Sequence, residues 1–233
     1  MVDVLANWQQ VQERIGRAAH GVGRSAEDIQ VVAVTKGVDI DKITPLIGAG
    51  VTAVGENRIQ EALPKYEVAP WRDEVEWHFI GHLQTNKVRH CLQFVKLVHS
   101  VDSLRLIREL DSRAALLGLD EIGVLLQVNV SGEATKFGLA PEAVPTLLEQ
   151  AAPYSRVFVR GLMTMAPHEQ NPENTRPYFR RLRILGEKLT DKGFPRFTVK
   201  YLSMGMTNDF EVAVEEGANL LRIGSALFKD SFG

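Results

Sequence analysis

Lys36 directly follows the apolar run Val31–Thr35 (VVAVT). A lysine at the end of a buried strand can be held as a neutral amine at the mouth of a pocket, the state that attacks an aldehyde. Far along the chain, SMGMTND (Ser203–Asp209) and LRIGSALF (Leu221–Phe228) read as two halves of a phosphate site. In the first half, Ser203, the Gly205 backbone and Thr207 offer donors, and Asn208 followed by Glu211 fits a capping box that starts a helix there. In the second, Gly224 lets the chain approach a ligand closely and Ser225 adds a hydroxyl. Arg222 lies between Leu221 and Ile223 and is expected to point inward, where a guanidinium needs either a ligand or an ion pair with Glu56 or Glu211.

These residues must be gathered from distant points of the chain by regular elements. Apolar or β-branched segments recur near 31–35, 51–54, 76–81, 94–98, 122–130, 156–164, 197–202 and 219–223. Helix-compatible stretches separate them near 39–49, 57–68, 84–92, 102–117, 141–151, 174–191 and 208–217. The alternation fits an α/β protein of one domain over residues 1–233, a closed (β/α)8 TIM barrel, with an open doubly wound sheet as the alternative. Val4, Trp8, Val11 and Ile15 recur at helical spacing, so residues 3–19 are expected to form an amphipathic helix covering the remaining gap. In a barrel the carboxyl ends of the strands form the working face, and phosphate commonly sits after strands seven and eight, where the two motifs fall. The same face would carry Asn57 and His82.

Composition narrows the classes. Hydrophobic residues make up 45% and charged residues 24% of the 233, and the formal net charge of −2 provides no basic field for nucleic acid or an anionic membrane. The first residues lack a basic start and a continuous apolar stretch, and no window approaches the length of a membrane span. A cytoplasmic, monomeric or weakly associating protein is expected. Cys91 is the only cysteine, so an internal disulfide and a cysteine-based metal cluster within one chain are excluded, and no metal site is expected. GVGRSA (Gly21–Ala26) matches a dinucleotide-binding glycine pattern but follows a helix and precedes a strand, the wrong context for that mechanism.

An amine for a carbonyl, a cradle for a phosphate and a cation for a ring heteroatom together describe a site for a phosphorylated aldehyde, and pyridoxal phosphate meets all three demands. The chain resembles the pyridoxal phosphate homeostasis protein family, whose fold is like the barrel domain of bacterial alanine racemase. The resemblance runs through AVTK (33–36), VGENRIQEA (54–62), WHFIGHLQTNK (77–87), HSVDS (99–103), NVSGEATKFG (129–138), GLMTM (161–165), LSMGMTND (202–209) and RIGSALF (222–228). It implies pyridoxal 5′-phosphate held as an internal aldimine on Lys36, with Ser203 and the Gly224–Ser225 pair contacting the phosphate. It also implies Arg222 facing the pyridine nitrogen, where an arginine disfavours protonation and weakens the ring as an electron sink. Asn57 would bond the ring oxygen and His82 would order the lining; their alternative roles are capping the helix after strand two and satisfying a backbone carbonyl. Lys136 is either a second amine for exchange or an exposed loop lysine.

Three departures from the family pattern stand out. Val38 replaces a second lysine found in many members two places after the first, the proline that commonly follows soon after is missing from TKGVDI, and Thr207 stands where serine is commoner. The implied function is a carrier with no robust catalysis, which buffers pyridoxal phosphate or delivers it through transient contact with apoenzymes. The rivals are a weak amino-acid racemase and a Schiff-base aldolase acting on a phosphorylated aldehyde. Racemisation needs a second acid on the opposite face of the substrate, and Tyr66, Tyr154, Tyr178 and Tyr201 do not fall at strand tips.

Overall fold

The computed structural model describes residues 2–133 and 135–229; Met1, Ala134 and residues 230–233 of the expected domain lie outside them. The chain begins with α1 (Val4–Gly21) and then alternates: β1 (Gln30–Val34), α2 (Ile40–Gly48), β2 (Ala53–Glu56), α3 (Ile59–Val68), β3 (Glu76–Phe79), α4 (Val88–Cys91) and β4 (Val95–Val101). It continues through α5 (Leu104–Leu117), β5 (Ile122–Gln127), α6 (Val144–Ala151), β6 (Val157–Met163), α7 (Arg176–Thr190), β7 (Phe197–Ser203), α8 (Phe210–Glu215), β8 (Leu220–Ile223) and α9 (Ser225–Phe228). The strands pair in sequence order and in parallel, and β8 returns to β1, so the sheet is a closed barrel rather than an open one. Several expected helices are shorter than the sequence pattern implied, α8 among them, with six residues where 208–217 was expected. The stretch near 84–92 becomes a 3-10 turn, Thr85–Lys87, leading into the four-residue α4, and Pro141–Ala143 forms a similar turn before α6.

Strand alternation sorts the side chains. Val32, Ala53, Leu97, Leu125, Met163 and Leu220 pack together inside the barrel, with Tyr201 against them. Their neighbours one residue away, such as Val31, Ala33, Val54, Val98, Val124 and Leu221, join the larger core under the helices. The parity that sends Leu97 and Leu220 inward also sends His99 and Arg222 to the barrel axis.

Because α9 has only four residues, β8 lacks a full covering helix, and α1 fills the place by packing against α8, α9 and α2. Its buried stripe is Val4, Trp8, Val11, Ile15, Ala18 and Ala19, and each large apolar side chain buried there contributes about 1.5–3 kcal/mol. Asp3 caps the helix by accepting from the N–H groups of Leu5 and Ala6 at 3.2 and 3.0 Å. Cys91, on α4, is fully buried, and burial pushes its thiol far above the ordinary range. Among the described residues, no helix is long and apolar enough to cross a membrane.

Candidate functional site

Lys36 stands at the carboxyl end of the barrel, two residues beyond β1, exposed while Thr35 before it is fully buried. It rides on a tight turn closed by the Val38 N–H donating to the Thr35 carbonyl at 3.0 Å, with Gly37 at φ 66°, a left-handed conformation that glycine adopts without strain. A buried charge pair anchors this turn from behind. Lys65, on α3, donates to Glu56 Oε1 at 2.5 Å and to the Thr35 carbonyl at 2.6 Å, while the Thr35 hydroxyl donates to the same Glu56 oxygen at 2.7 Å. Glu56 is 1% exposed and its Oε2 has no hydrogen-bond partner among the described residues. α3 is held in turn by an aromatic cluster, in which Tyr66 stacks on Phe94 and meets Trp77 edge-on.

The two glycine-containing motifs meet. The Arg222 N–H donates to the Gly205 carbonyl at 3.1 Å, and the Ala226 N–H, at the start of α9, donates to Thr207 Oγ1 at 3.1 Å. Gly205 adopts φ 91°, and a Cβ there would lie 2.5 Å from the Ala213 Cβ, so the crossing of β7 into α8 has no room for a side chain. Gly224 sits against Val34, which brings the second motif beside the strand that carries Lys36. Thr207 and Ser225 remain half-exposed on the rim. The expected capping box on Asn208 does not form. Asp209 is the N-cap of α8 without a side-chain cap bond, because its Oδ1 turns back to accept from the Met206 N–H at 2.7 Å.

Arg222 points into the lumen as the flanking apolar residues implied, but neither expected carboxylate is its partner: Glu56 pairs with Lys65 and Glu211 with Arg14. Its Nη1 donates to Ser203 Oγ at 2.5 Å and its Nη2 to the Thr164 carbonyl at 2.8 Å. A guanidinium has five N–H donors, so two bonds leave capacity for a ligand acceptor. Burial pushes Arg222 down to about 10 against the pull of Asp209, which keeps it cationic at neutral pH. Ser203 is fully buried rather than on the rim, with its hydroxyl held between Arg222 and His99 Nδ1, the latter at 2.9 Å. His99 Nε2 lies 3.0 Å from His78 Nδ1, and His78 Nε2 lies 3.2 Å from Glu76 Oε2.

Sequence reading missed His78, His99 and Lys65. The signal for the two histidines was inward parity, since His78 aligns with Gly55 and Leu97, and His99 lies two residues beyond Leu97.

On the rim, Asn57 is half-buried and does not cap α3, whose N-cap is Arg58, so the capping role considered for Asn57 is not the one it takes. His82 is exposed and stacks on Phe137 with ring centroids 4.6 Å apart, rather than bonding a backbone carbonyl. A cavity of about 400 Å³ is lined by Asn57, His82, Gln84 and Lys87 at this end of the barrel. Lys136 pairs with Glu133 at 3.0 Å in the loop after β5.

Known proteins share this architecture. The family described as alanine racemase, N-terminal domain, matches residues 4–232. The pyridoxal phosphate homeostasis protein of Aquifex aeolicus is 43% identical over 218 residues, covering 94% of each chain. The crystal structure of an unknown protein from Bifidobacterium adolescentis superposes with a TM-score of 0.91 at 34% identity, covering 97% of this chain and 94% of the other. PipY of Synechococcus elongatus, solved with pyridoxal phosphate bound, gives a TM-score of 0.79 at 33% identity, covering 92% of this chain and 99% of its own. With its closed barrel, its AVTK turn and near-complete coverage in these alignments, the chain belongs to the alanine racemase N-terminal domain family and, within it, to the pyridoxal phosphate homeostasis proteins.

Proposed function

We propose that this protein binds pyridoxal 5′-phosphate covalently through Lys36 and serves as a reservoir that buffers the cofactor or delivers it to apoenzymes. The observation that carries the reading is Arg222: a buried cation with no carboxylate hydrogen-bonded to it among the described residues, beneath the barrel end that carries Lys36, Thr207 and Ser225. That set fits the group, offering an exposed amine for the aldehyde, rim hydroxyls and the Gly224 backbone for the phosphate, and donor capacity on Arg222 for a ring nitrogen. Asn57, which caps no helix, is free to bond the ring oxygen. Ser203 acts through Arg222, which it helps to hold. Gly205 shapes the cradle by accepting from the Arg222 backbone. The relatives' name and the PipY complex support the same ligand.

When bound, pyridoxal phosphate supplies an electrophilic carbon and an electron-withdrawing ring. The residues here retain it more than they exploit it. Arg222 opposes protonation of the ring nitrogen, which limits the ring as an electron sink. Lys36 stands on an exposed turn where a second amine can reach it, as exchange requires. In this reading the carrier is a cytoplasmic monomer that meets its recipients transiently, without robust turnover of its own.

The test is borohydride reduction after incubation with pyridoxal phosphate, with the adduct mapped by mass spectrometry. A phosphopyridoxyl group on the Lys36 peptide is expected. Lys36→Ala should abolish it while leaving thermal unfolding unchanged, because the side chain is exposed. The same adduct on Lys136, or none anywhere, would sink the assignment. Regain of activity by a cofactor-stripped aminotransferase, faster than with an equal amount of free cofactor, is the sign of delivery.

A further inference from the structure

The lumen of this barrel is not filled with apolar side chains alone. TIM-barrel interiors are packed layers dominated by branched aliphatic residues. Here the inner aliphatic group is joined by His78, His99, Ser203 and Arg222, at 1%, 0%, 0% and 4% exposure. Burying four polar side chains is costly unless each is satisfied, and these are satisfied by one another in a line that crosses the barrel from β8 through β7 and β4 to β3. The line ends at Glu76, the first residue of β3, which is about half exposed at the opposite end of the barrel from Lys36, with Gln30 and Lys200 near its carboxylate.

The donor direction along this line follows from its two ends. Arg222 can only donate, so Ser203 Oγ accepts from it and turns its own hydrogen to His99 Nδ1. A neutral His99 that accepts at Nδ1 carries its proton on Nε2 and donates to His78 Nδ1. His78 in turn carries its proton on Nε2 and donates to Glu76, an ionised carboxylate that can only accept. Complete burial, together with the Arg222 charge, holds the imidazole of His99 well below its usual range, so it is neutral. The hydrogen bond from His78 holds Glu76 below the usual carboxylate range. This direction satisfies every link with neutral rings.

We propose that Glu76, His78, His99 and Ser203 form a one-directional hydrogen-bonded relay whose role is to position the Arg222 guanidinium. On the reading of Arg222 given above, the relay extends control of the ligand's ring nitrogen to a carboxylate at the far end of the barrel. His78 and His99 are positioning residues and touch no ligand.

The relay can be tested first without any ligand. Long-range 1H–15N correlation spectra of the ligand-free protein at neutral pH are expected to show both rings as neutral Nε2–H tautomers. An Nδ1–H form or a doubly protonated ring at either position overturns the relay. The Arg222 Nη signals should be resolved by restricted rotation in the wild type and in His99→Gln, which keeps one donor and one acceptor, and should merge in His99→Leu. Glu76→Ala removes the terminal acceptor at an exposed site without opening the core. Shifts at His78, His99 and Arg222 together are expected, and unchanged His99 and Arg222 signals overturn the proposal. With pyridoxal phosphate added, the pH midpoint of its protein-bound absorption band should move by about one unit in His99→Leu and return in His99→Gln. Correct tautomers with no adduct formed would uphold the relay and refute the cofactor reading. An adduct whose midpoint stays fixed in His99→Leu would refute the relay's reach to the ligand.

Discussion

Replacing Lys65 with methionine removes the cation from a pair whose side chains are 12% and 1% exposed, and with it the bond to the Thr35 carbonyl. Glu56 keeps the Thr35 hydroxyl as its one donor, and its second oxygen, already without a partner, gains none. Breaking a buried pair by removing one member costs about 3–5 kcal/mol. The slight exposure of Lys65 lets water reach the vacated position, which places the expectation at the lower end, about 3 kcal/mol. For a chain of this size that lowers the thermal midpoint by about 6–12 °C. Glu56→Gln/Lys65→Met removes both charges while keeping an acceptor for Thr35, and should return to within about 1 kcal/mol of the wild type. Denaturant unfolding of the four proteins in the cycle measures this, and hydrogen exchange at the Val38 amide, which donates to the Thr35 carbonyl, reports the turn itself. A Lys65→Met cost below about 1 kcal/mol, or a double variant equal to the sum of the singles, would refute the claim that this pair anchors the Lys36 turn.

The other expectations are simpler. Gly205→Ala puts a Cβ 2.5 Å from that of Ala213 at φ 91°, so strain and crowding together should cost about 2–4 kcal/mol in denaturant unfolding; a near-neutral effect would show that α8 shifts freely. Thr207→Val leaves the Ala226 N–H without its acceptor, and should cost about 1 kcal/mol of stability and weaken pyridoxal phosphate retention in equilibrium dialysis. His99 is held neutral in the fold but takes up a proton when unfolded, so stability is full above the ordinary imidazole value of about 6.5 and falls as pH drops from there toward the much lower folded value. His99→Gln should remove that part of the acid slope, and an unchanged slope between about pH 6.5 and 5 would mean that His99 is not the group responsible.

Much of the fold was legible because barrel strands buried on both faces read as apolar runs and their separation by helical stretches sets the alternation. The run Val31–Thr35 overlaps β1, and Arg222 between Leu221 and Ile223 was recognisable as an inward-facing charge. What escaped depended on contacts distant in sequence. Glu56 and Glu211 were both reasonable partners for Arg222 until the helices brought Lys65 to one and Arg14 to the other. Asn208 fitted a capping box locally, but the Asp209 carboxylate found the Met206 N–H first and moved the helix start by one residue. His78 and His99 sit on neighbouring strands and lie 21 positions apart, so only the parity of β3 and β4 could have paired them.

The burial of Cys91 has a practical consequence. A thiol with no exposed surface, and with its ionisation pushed far up, reacts with an alkylating reagent only when the α4 layer opens. As the chain's only cysteine, it gives a single chemical event to count. When closing outpaces labelling, the rate of modification divided by that of an unstructured thiol gives the population of the open form, so this one side chain is a built-in clock for local unfolding.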